Sequence, residues 1–346
     1  MTSFESDYNN GAHPDVLQHL LETNAKTSVS YGADEWSESA RHRIKTACQC
    51  PDADVCFLVG GTQTNATVID GLLTSYEGVV AVETAHINVH ESGAVEASGH
   101  KVIALPSHEG KMEATELKDY LTTFFADPTM EHMVIPGMVY LTMPTELGTI
   151  YSRHELESIY KMCRQFGLQL FIDGARLGYG LTCDDCDFDL AWMAHHCDAF
   201  YIGGTKVGAL CGEAIVFTHG NAPRHFLTIV KRHGALLAKG RLTGVQFDAL
   251  FTNGLYFRIA RHAIDQAQVL RRLFTEAGLR LKDSPTNQQF VVLSNRQMNE
   301  LSKKVRFETW EKVDEKHTLC RFVTSWATTD ADLKELEQAL KTLSRQ

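Results

Sequence analysis

Short apolar segments with the character of β-strands alternate with helical segments through most of the chain. The runs at 54–59, 79–83 and 138–142 are almost continuously apolar. They lack the alternation of apolar and polar residues that a strand with one solvent-exposed face shows. Such strands are buried on both faces, and helices between them make the connections of a parallel sheet. One such helix is marked by Ser152 and Glu155, which have capping-box spacing. The pattern predicts an α/β fold whose mostly parallel central sheet is covered by helices.

The domain organisation follows from where this alternation stops. A chain of 346 residues corresponds to about two domains at ~150 residues each. One amphipathic helical pattern runs from Gln246 to Ala277, and the segments QQFVVLS and CRFVTSW follow it. We predict an N-terminal arm over 1–16 that contributes to the active site, a large α/β domain over 17–255 and a small C-terminal α+β domain over 256–346.

Charge and composition argue against several classes of function. The 33 Lys plus Arg against 43 Asp plus Glu give a net charge of -10, and no basic run could follow a phosphate backbone. No apolar stretch approaches the ~18 residues of a membrane span, and the N-terminus lacks the pattern of a signal peptide. The nine scattered cysteines fit free thiols. We therefore expect a cytoplasmic protein with a small-molecule ligand, no nucleic acid and no membrane contact.

A glycine turn, VGGTQTN at 59–65, joins the first of these strands to a helix. The first N–H groups of a helix have no carbonyl partner, and the helix dipole adds positive potential, so such a turn suits a phosphate. A plain structural turn is the alternative. The segment is neither GxGxxG nor a Walker lysine loop, which argues against a dinucleotide-dependent dehydrogenase.

Two further strands end in residues that can carry chemistry. One apolar run stops at Asp173, and another leads into Lys206 within IGGTKVG. Desolvation lowers the pKa of a lysine behind an apolar strand and favours the nucleophilic amine, although a lone lysine is more often a surface residue. Parallel strands present their carboxyl ends at one edge of the sheet, so the glycine turn, the carboxylate and the amine are expected to meet there. Pyridoxal phosphate requires such a set, and we predict it as the cofactor.

The segment ETAHINVHESGA places His86 just beyond a strand-like run, where its ring is expected to lie on the cofactor face. His86 and His90 at i, i+4 would also suit a metal, but the HExxH order is absent. Cys183 and Cys186 have metal-like spacing without a second ligand pair. We therefore predict ring stacking by His86, and no metal.

Taken together, these segments resemble the threonine aldolase family of fold type I pyridoxal phosphate enzymes, over almost the whole chain. The resemblance rests on short motifs in the order that the family shows. They are SD at 6–7, YGAD at 31–34, GGTQTN at 60–65, AHINVHESGA at 85–94, IDGAR at 172–176, TK at 205–206, KGRLTG at 239–244 and RFVTSW at 321–326.

The resemblance implies a role for each matching residue. Lys206 would form the aldimine with the cofactor, Asp173 would pair with the pyridine nitrogen, and His86 would stack on the ring. The phosphate would be held by Gly61, Thr62 and, from a neighbouring subunit, Arg241, and Thr205 would also bind the cofactor. The substrate carboxylate would be held by Ser6, Arg176 and Arg321, because a guanidinium fixes a carboxylate in plane. Supporting positions would be Tyr31, Asp34, Asn65, His90 and Glu91.

One segment departs from the common bacterial pattern of the family. Where many members have a histidine-bearing loop, this chain has LTMPTELGT at 141–149, and the nearby His132 is out of register. The departure leaves open which base takes the β-hydroxyl proton of the substrate. We expect His86 to do so through a water held by His90 or Glu91.

The resemblance implies an aldehyde-lyase that cleaves L-threonine and L-allo-threonine to glycine and acetaldehyde. It also implies a homodimer or homotetramer with shared active sites, in which Tyr31 and Arg241 reach across. The alternatives are another pyridoxal phosphate lyase, such as a phenylserine-type aldolase or a β-eliminating lyase, and a binder of the cofactor without catalysis. The intact carboxylate clamp argues against a pure binder.

Overall fold

Thirteen strands occur in a computed structural model that describes residues 1–343. They are β1 (Thr2–Ser3), β2 (Asp54–Leu58), β3 (Glu77–Val82), β4 (Val102–Leu105), β5 (Ile135–Thr142), β6 (Gln169–Asp173), β7 (Ala199–Gly203), β8 (Glu213–Phe217), β9 (Arg280–Lys282), β10 (Gln288–Ser294), β11 (Val305–Arg306), β12 (Glu308–Lys312) and β13 (His317–Val323).

Fourteen α-helices occur in the same described range. They are α1 (Pro14–Thr23), α2 (Glu35–Cys48), α3 (Gly61–Leu72), α4 (His86–Val89), α5 (Ala94–Ala97), α6 (Ala114–Ala126), α7 (Arg153–Phe166), α8 (Leu177–Thr182), α9 (Leu190–Ala194), α10 (Phe226–Arg232), α11 (Arg241–Phe251), α12 (Leu255–Glu276), α13 (Asn295–Leu301) and α14 (Asp330–Leu343). None of these described helices is long and apolar enough to cross a membrane.

Seven of the strands form the central sheet, in the order β2-β8-β7-β6-β5-β3-β4. The ladders from β7 through β4 are parallel, and β8 runs antiparallel to both of its neighbours. The side chains of β7 and β8 are buried throughout, as expected for strands covered on both faces. The predicted mostly parallel sheet is therefore confirmed. The carboxyl ends of its parallel strands and the start of β8 share one edge.

Helix α7 shows how local sequence sets the helices that pack on this sheet. The Ser152 hydroxyl accepts a hydrogen bond from the Glu155 N–H, and the Glu155 carboxylate accepts one from the Ser152 N–H. At the other end Gly167 adopts a left-handed conformation with φ 73°. The capping box confirms the predicted start of the helix, and Gly167 accounts for its end.

The helical pattern from Gln246 to Ala277 does not form one continuous helix, because two helices occupy this range. Helix α11 ends at Phe251, and after a short 3₁₀ turn α12 begins at Leu255. Asn253 and Gly254 interrupt the helix with φ 51° and 67°. Asn and Gly tolerate this left-handed backbone, whereas the apolar periodicity continues across the break and conceals it.

The C-terminal strands form a second, antiparallel sheet in the order β12-β13-β10-β9. The N-terminal arm joins this part of the molecule, since β1 pairs with β11 and Phe4 is buried in the same apolar cluster as Phe322. Helix α12 packs against α8 on one side and against β9, β10 and α14 on the other. The proposed domain limits stay a prediction, and the part of the third range beyond residue 343 lies outside the described residues.

The ends of β6 and β7 approach each other unusually closely. Gly203 donates its N–H to the Gly174 carbonyl at 2.9 Å. A Cβ atom on Gly174 would lie 2.0 Å from the Tyr201 carbonyl oxygen, and one on Gly203 would lie 2.2 Å from the Ala175 oxygen. Only glycine fits at either position, and this contact brings the residues after the two strands together.

Replacing Ser152 by alanine is expected to destabilise the protein by about 1 kcal/mol, because the helix loses its N-terminal cap. The measurement is the urea concentration at the midpoint of unfolding. Ser158→Ala makes the same chemical change in the middle of α7 and should leave the midpoint nearly unaltered. Equal midpoints for the wild type and Ser152→Ala would contradict the role of the cap.

Candidate active site

A cavity of about 240 Å³ opens at the sheet edge where the parallel strands end. Its walls combine residues that follow β2, β3, β6 and β7, as expected for strands whose carboxyl ends share an edge. The predicted site residues that line it are Gly61, Thr62, His86, Glu91, Asp173, Thr205 and Lys206.

Lys206 lies in the turn after β7 and lines this cavity, with its Nζ 5.9 Å from the centre of the Tyr8 ring. The hydroxyl of Tyr179 donates to the Lys206 carbonyl at 2.6 Å and holds the turn. Burial and the nearby Arg176 lower the pKa of Lys206, against the opposing effect of the carboxylates around it. The environment therefore favours the neutral, nucleophilic amine.

Asp173 ends β6 and is buried at the cavity wall. Its Oδ1 accepts a hydrogen bond from the Ala175 N–H at 2.9 Å, and its Oδ2 accepts from Asn65 Nδ2 at 3.0 Å and from the Tyr140 hydroxyl. Burial and the Asp173 charge raise the pKa of Tyr140 well above its usual value, so this phenol remains a donor. Three donors thus fix the orientation of the Asp173 carboxylate.

The helix that follows β2 presents an open N-terminus to the cavity. Helix α3 begins at Gly61, and no side chain caps it. A side chain at Gly60 would meet no atom within 4 Å, so the space before the helix is free of protein. The unpaired N–H groups of such a terminus, with the helix dipole, suit a phosphate.

His86 begins the short helix α4 and is held by a buried carboxylate. Its Nδ1 lies 2.7 Å from Glu91 Oε1, and the same oxygen accepts a hydrogen bond from Asn65 Nδ2 at 2.7 Å. Burial tends to lower the pKa of His86, but the hydrogen bond to Glu91 and the charges of Glu146 and Asp173 outweigh it and raise the pKa. The His90 ring lies 5.6 Å from the His86 ring.

The two arginines predicted to clamp a carboxylate are both buried. Arg176 donates through Nε and Nη2 to the two oxygens of Asp7, at 2.7 and 3.0 Å. Arg321 reaches from β13 and donates through Nη1 to Gln288 Oε1 at 2.8 Å and through Nη2 to Glu308. Its Nε is buried without a hydrogen-bond partner among the described residues.

Besides Asn65, His90, Arg176 and Arg321, four predicted residues do not line this cavity within the single chain. Ser6 faces a separate surface cavity of about 590 Å³. Arg241 donates to two main-chain carbonyls of its own chain, each at 2.6 Å, and Tyr31 is about half exposed. Asp34 caps α2 by accepting a hydrogen bond from the Ser37 N–H at 2.9 Å. The roles predicted for these four residues stay predictions.

Four ionisable residues that line the cavity were not predicted from the sequence, namely Tyr8, Glu146, Tyr201 and Glu213. Glu213 begins β8 and accepts hydrogen bonds from the Gly204 N–H at 3.0 Å and the Thr205 hydroxyl at 2.8 Å. Burial raises the pKa of Glu213 to about 8, although these donors and Lys206 oppose the shift. The sequence feature that could have identified Glu213 is its position directly before the apolar run AIVF. It was missed because strand direction cannot be seen in the sequence.

The unusual segment at 141–149 provides a carboxylate at this edge. Glu146 lies in the loop after β5 and lines the cavity. His132, by contrast, belongs to a 3₁₀ turn before β5 and is exposed at the opposite end of that strand. The Glu146 carboxylate adds negative charge to the cavity and helps to raise the pKa of His86.

Comparisons with known proteins agree with this architecture. A model of the β-eliminating lyase family matches residues 4–305. The low-specificity L-threonine aldolase of a Pseudomonas species is 30% identical over 339 residues, which cover 96% of this chain and 95% of that protein. The enzyme of the same name from Pseudomonas aeruginosa is also 30% identical, over 98% of this chain and 96% of its own length.

Among solved structures, the threonine aldolase of Leishmania major superposes with a TM-score of 0.96 at 37% identity. The match covers 99% of this chain and 100% of that one. The predicted fold type I architecture and the resemblance to the threonine aldolases are confirmed. With most of its length matched by the family model, the chain belongs to the β-eliminating lyase family.

Proposed function

We propose that this protein is a pyridoxal phosphate-dependent lyase that cleaves L-threonine and L-allo-threonine to glycine and acetaldehyde. The observation that carries the proposal is the meeting of the Lys206 amine, the Asp173 carboxylate and the open N-terminus of α3 in one cavity. The L-threonine aldolases that are 30% identical over nearly the whole chain support this choice of substrate.

The residues present fit pyridoxal phosphate. Gly61 and Thr62 offer helix N–H groups to the phosphate, and Asp173 offers a buried, oriented acceptor for a protonated ring nitrogen. The lowered pKa of Lys206 suits an amine that must add to an aldehyde. When bound, the cofactor supplies that aldehyde and a protonated ring that withdraws electrons from bonds at the substrate Cα.

The substrate carboxylate would be held by Arg176 and Arg321, with Ser6 beside them. Asp7 occupies Nε and Nη2 of Arg176, which leaves Nη1 for the substrate. The buried, unpartnered Nε of Arg321 supports this role, because such a donor is costly unless a ligand satisfies it. Two fixed guanidinium groups orient the substrate so that its Cα–Cβ bond is the one that breaks.

Cleavage of a β-hydroxy amino acid requires a base for the hydroxyl proton. We assign this role to His86, which lines the cavity. Because Glu91 engages Nδ1, Nε2 is the nitrogen left to accept the proton. A β-eliminating lyase would instead lose a leaving group from Cβ, so the released product separates these two activities.

The proposal includes a homodimer or homotetramer in which Tyr31 and Arg241 of the partner subunit complete the cofactor site. Tyr31, Leu227 and Gly240, the residue before Arg241, line one surface depression. Tyr31 and Leu227 are 47% and 58% exposed, which leaves apolar surface available for a neighbouring copy.

Replacing Lys206 by alanine is expected to abolish both cofactor attachment and catalysis, because the nucleophilic amine is removed. The measurements are the visible absorbance that the cofactor acquires on bonding to a protein lysine, and acetaldehyde release from L-threonine. Lys118→Ala, on the exposed face of α6, is the matched control and should retain both signals. Acetaldehyde release by Lys206→Ala at the wild-type rate would refute the proposal.

Arg321→Lys keeps the charge but removes the planar fork of donors. Loss of a hydrogen bond to a charged group costs about 1.5–3 kcal/mol, so KM for L-threonine should rise about ten- to a hundredfold. The turnover number should change less. Arg306→Lys, at an exposed position of β11, should leave KM unaltered. An unchanged KM in Arg321→Lys would show that this arginine does not bind the substrate carboxylate.

A further inference from the structure

Glu91 is the buried acid that contacts Nδ1 of His86. Its side chain is 0% exposed, and it lies in the wall of the cavity. Oε1 contacts His86 Nδ1 and Asn65 Nδ2, both at 2.7 Å, and Oε2 has no hydrogen-bond partner among the described residues. A carboxylate buried in this way is costly unless a positive charge or several donors compensate it.

An uncommon backbone turn follows Glu91. Immediately after it, Ser92 and Gly93 both adopt left-handed conformations, with φ 53° and 73°. Positive φ is uncommon for a serine and costs about 1–3 kcal/mol where it is strained, so the surrounding fold must hold this turn. The turn leads directly into α5.

Asn65 connects Glu91 to the carboxylate of Asp173. Its Nδ2 lies 2.7 Å from Glu91 Oε1 and 3.0 Å from Asp173 Oδ2, so one amide group donates to both acids. A continuous hydrogen-bonded series therefore runs from His86 through Glu91 and Asn65 to Asp173. The series joins the residue proposed to act on the β-hydroxyl with the one proposed to act on the cofactor ring.

We propose that Glu91 is a positioning residue for the lyase reaction, which directs His86 Nε2 toward the substrate hydroxyl and stabilises the positive charge that His86 gains. The inference rests on the proposed function. In that step the substrate O–H bond breaks as an N–H bond forms at Nε2. The hydroxyl oxygen becomes the aldehyde oxygen, and the electron pair of the Cα–Cβ bond leaves with the glycine carbon.

The charges around His86 set its titration. The titratable groups that face it or line the same cavity are Tyr8, His90, Glu91, Glu146, Asp173, Tyr201, Lys206 and Glu213. Burial lowers the pKa of His86, but the hydrogen bond to Glu91 and the neighbouring carboxylates raise it overall. A raised pKa keeps His86 protonated to higher pH. Activity that requires neutral His86 therefore rises as the pH increases through the pKa of His86.

The test replaces Glu91 by glutamine, whose amide oxygen can still accept from His86 and Asn65 but carries no charge. The His86 resonance of the full-length protein is titrated by NMR before and after cofactor is added, and His86→Gln identifies that resonance. In Glu91→Gln, the midpoint should fall below the wild-type value. The pH below which kcat/KM for L-threonine declines should also move to a lower value.

At neutral pH, kcat/KM of Glu91→Gln should fall about tenfold, which is part of the ~10²–10⁴-fold contribution of a general base. Glu91→Asp retains the charge and should keep the midpoint closer to the wild type. The matched control is Glu96→Gln, an exposed acid of α5, which should alter neither the midpoint nor the rate.

An unchanged His86 midpoint in Glu91→Gln would overturn the proposal. A lowered midpoint with unchanged kcat/KM would also overturn it, because Glu91 would then act on His86 without aiding the reaction. Failure of the proposed function is distinguishable: the wild-type enzyme would release no acetaldehyde, whereas the NMR titration would still report the contact between Glu91 and His86.

Discussion

The active-site cavity depends on the close approach of β6 and β7 at their carboxyl ends. Gly174 and Gly203 form a main-chain hydrogen bond of 2.9 Å there, at positions where a Cβ atom would collide with neighbouring carbonyl oxygens. Because the two strands are parallel, the residues that follow them emerge on the same side. This contact brings the turn that carries Lys206 next to Asp173, and the glycine turn before α3 completes the set.

The site concentrates buried charges that stabilise one another. Arg176 pairs with Asp7. Burial tends to raise the pKa of Asp7, but the charges of Arg176 and Lys206 and the hydrogen bonds to Asp7 outweigh burial and lower this pKa. Glu91 pairs with His86 through a hydrogen bond. An uncompensated charge at such depth costs several kcal/mol, so most single substitutions here would affect both stability and reactivity. The same pairing orients each group for its proposed chemical role.

The proposed substrate end of the site is assembled from parts that are distant in sequence. Asp7 and Arg176 are 169 residues apart, and Arg321 comes from the C-terminal sheet. The arm that carries Asp7 is anchored to that sheet region, where β1 pairs with β11 and Phe4 is buried. Binding of a substrate carboxylate would therefore connect the central sheet, the arm and the C-terminal strands.

Much of the fold and the centre of the site could be predicted from the sequence, because strand burial, helix capping and turn chemistry are local properties. The capping box of α7 and the strand ending at Asp173 are examples. The break at Asn253 is also local, but the continuing apolar period concealed it. Only the tertiary structure decided that β8 is antiparallel, which brings Glu213 to the site, and that Asp7 meets Arg176. Such features depend on strand direction and long-range pairing, which the packing of the whole chain determines.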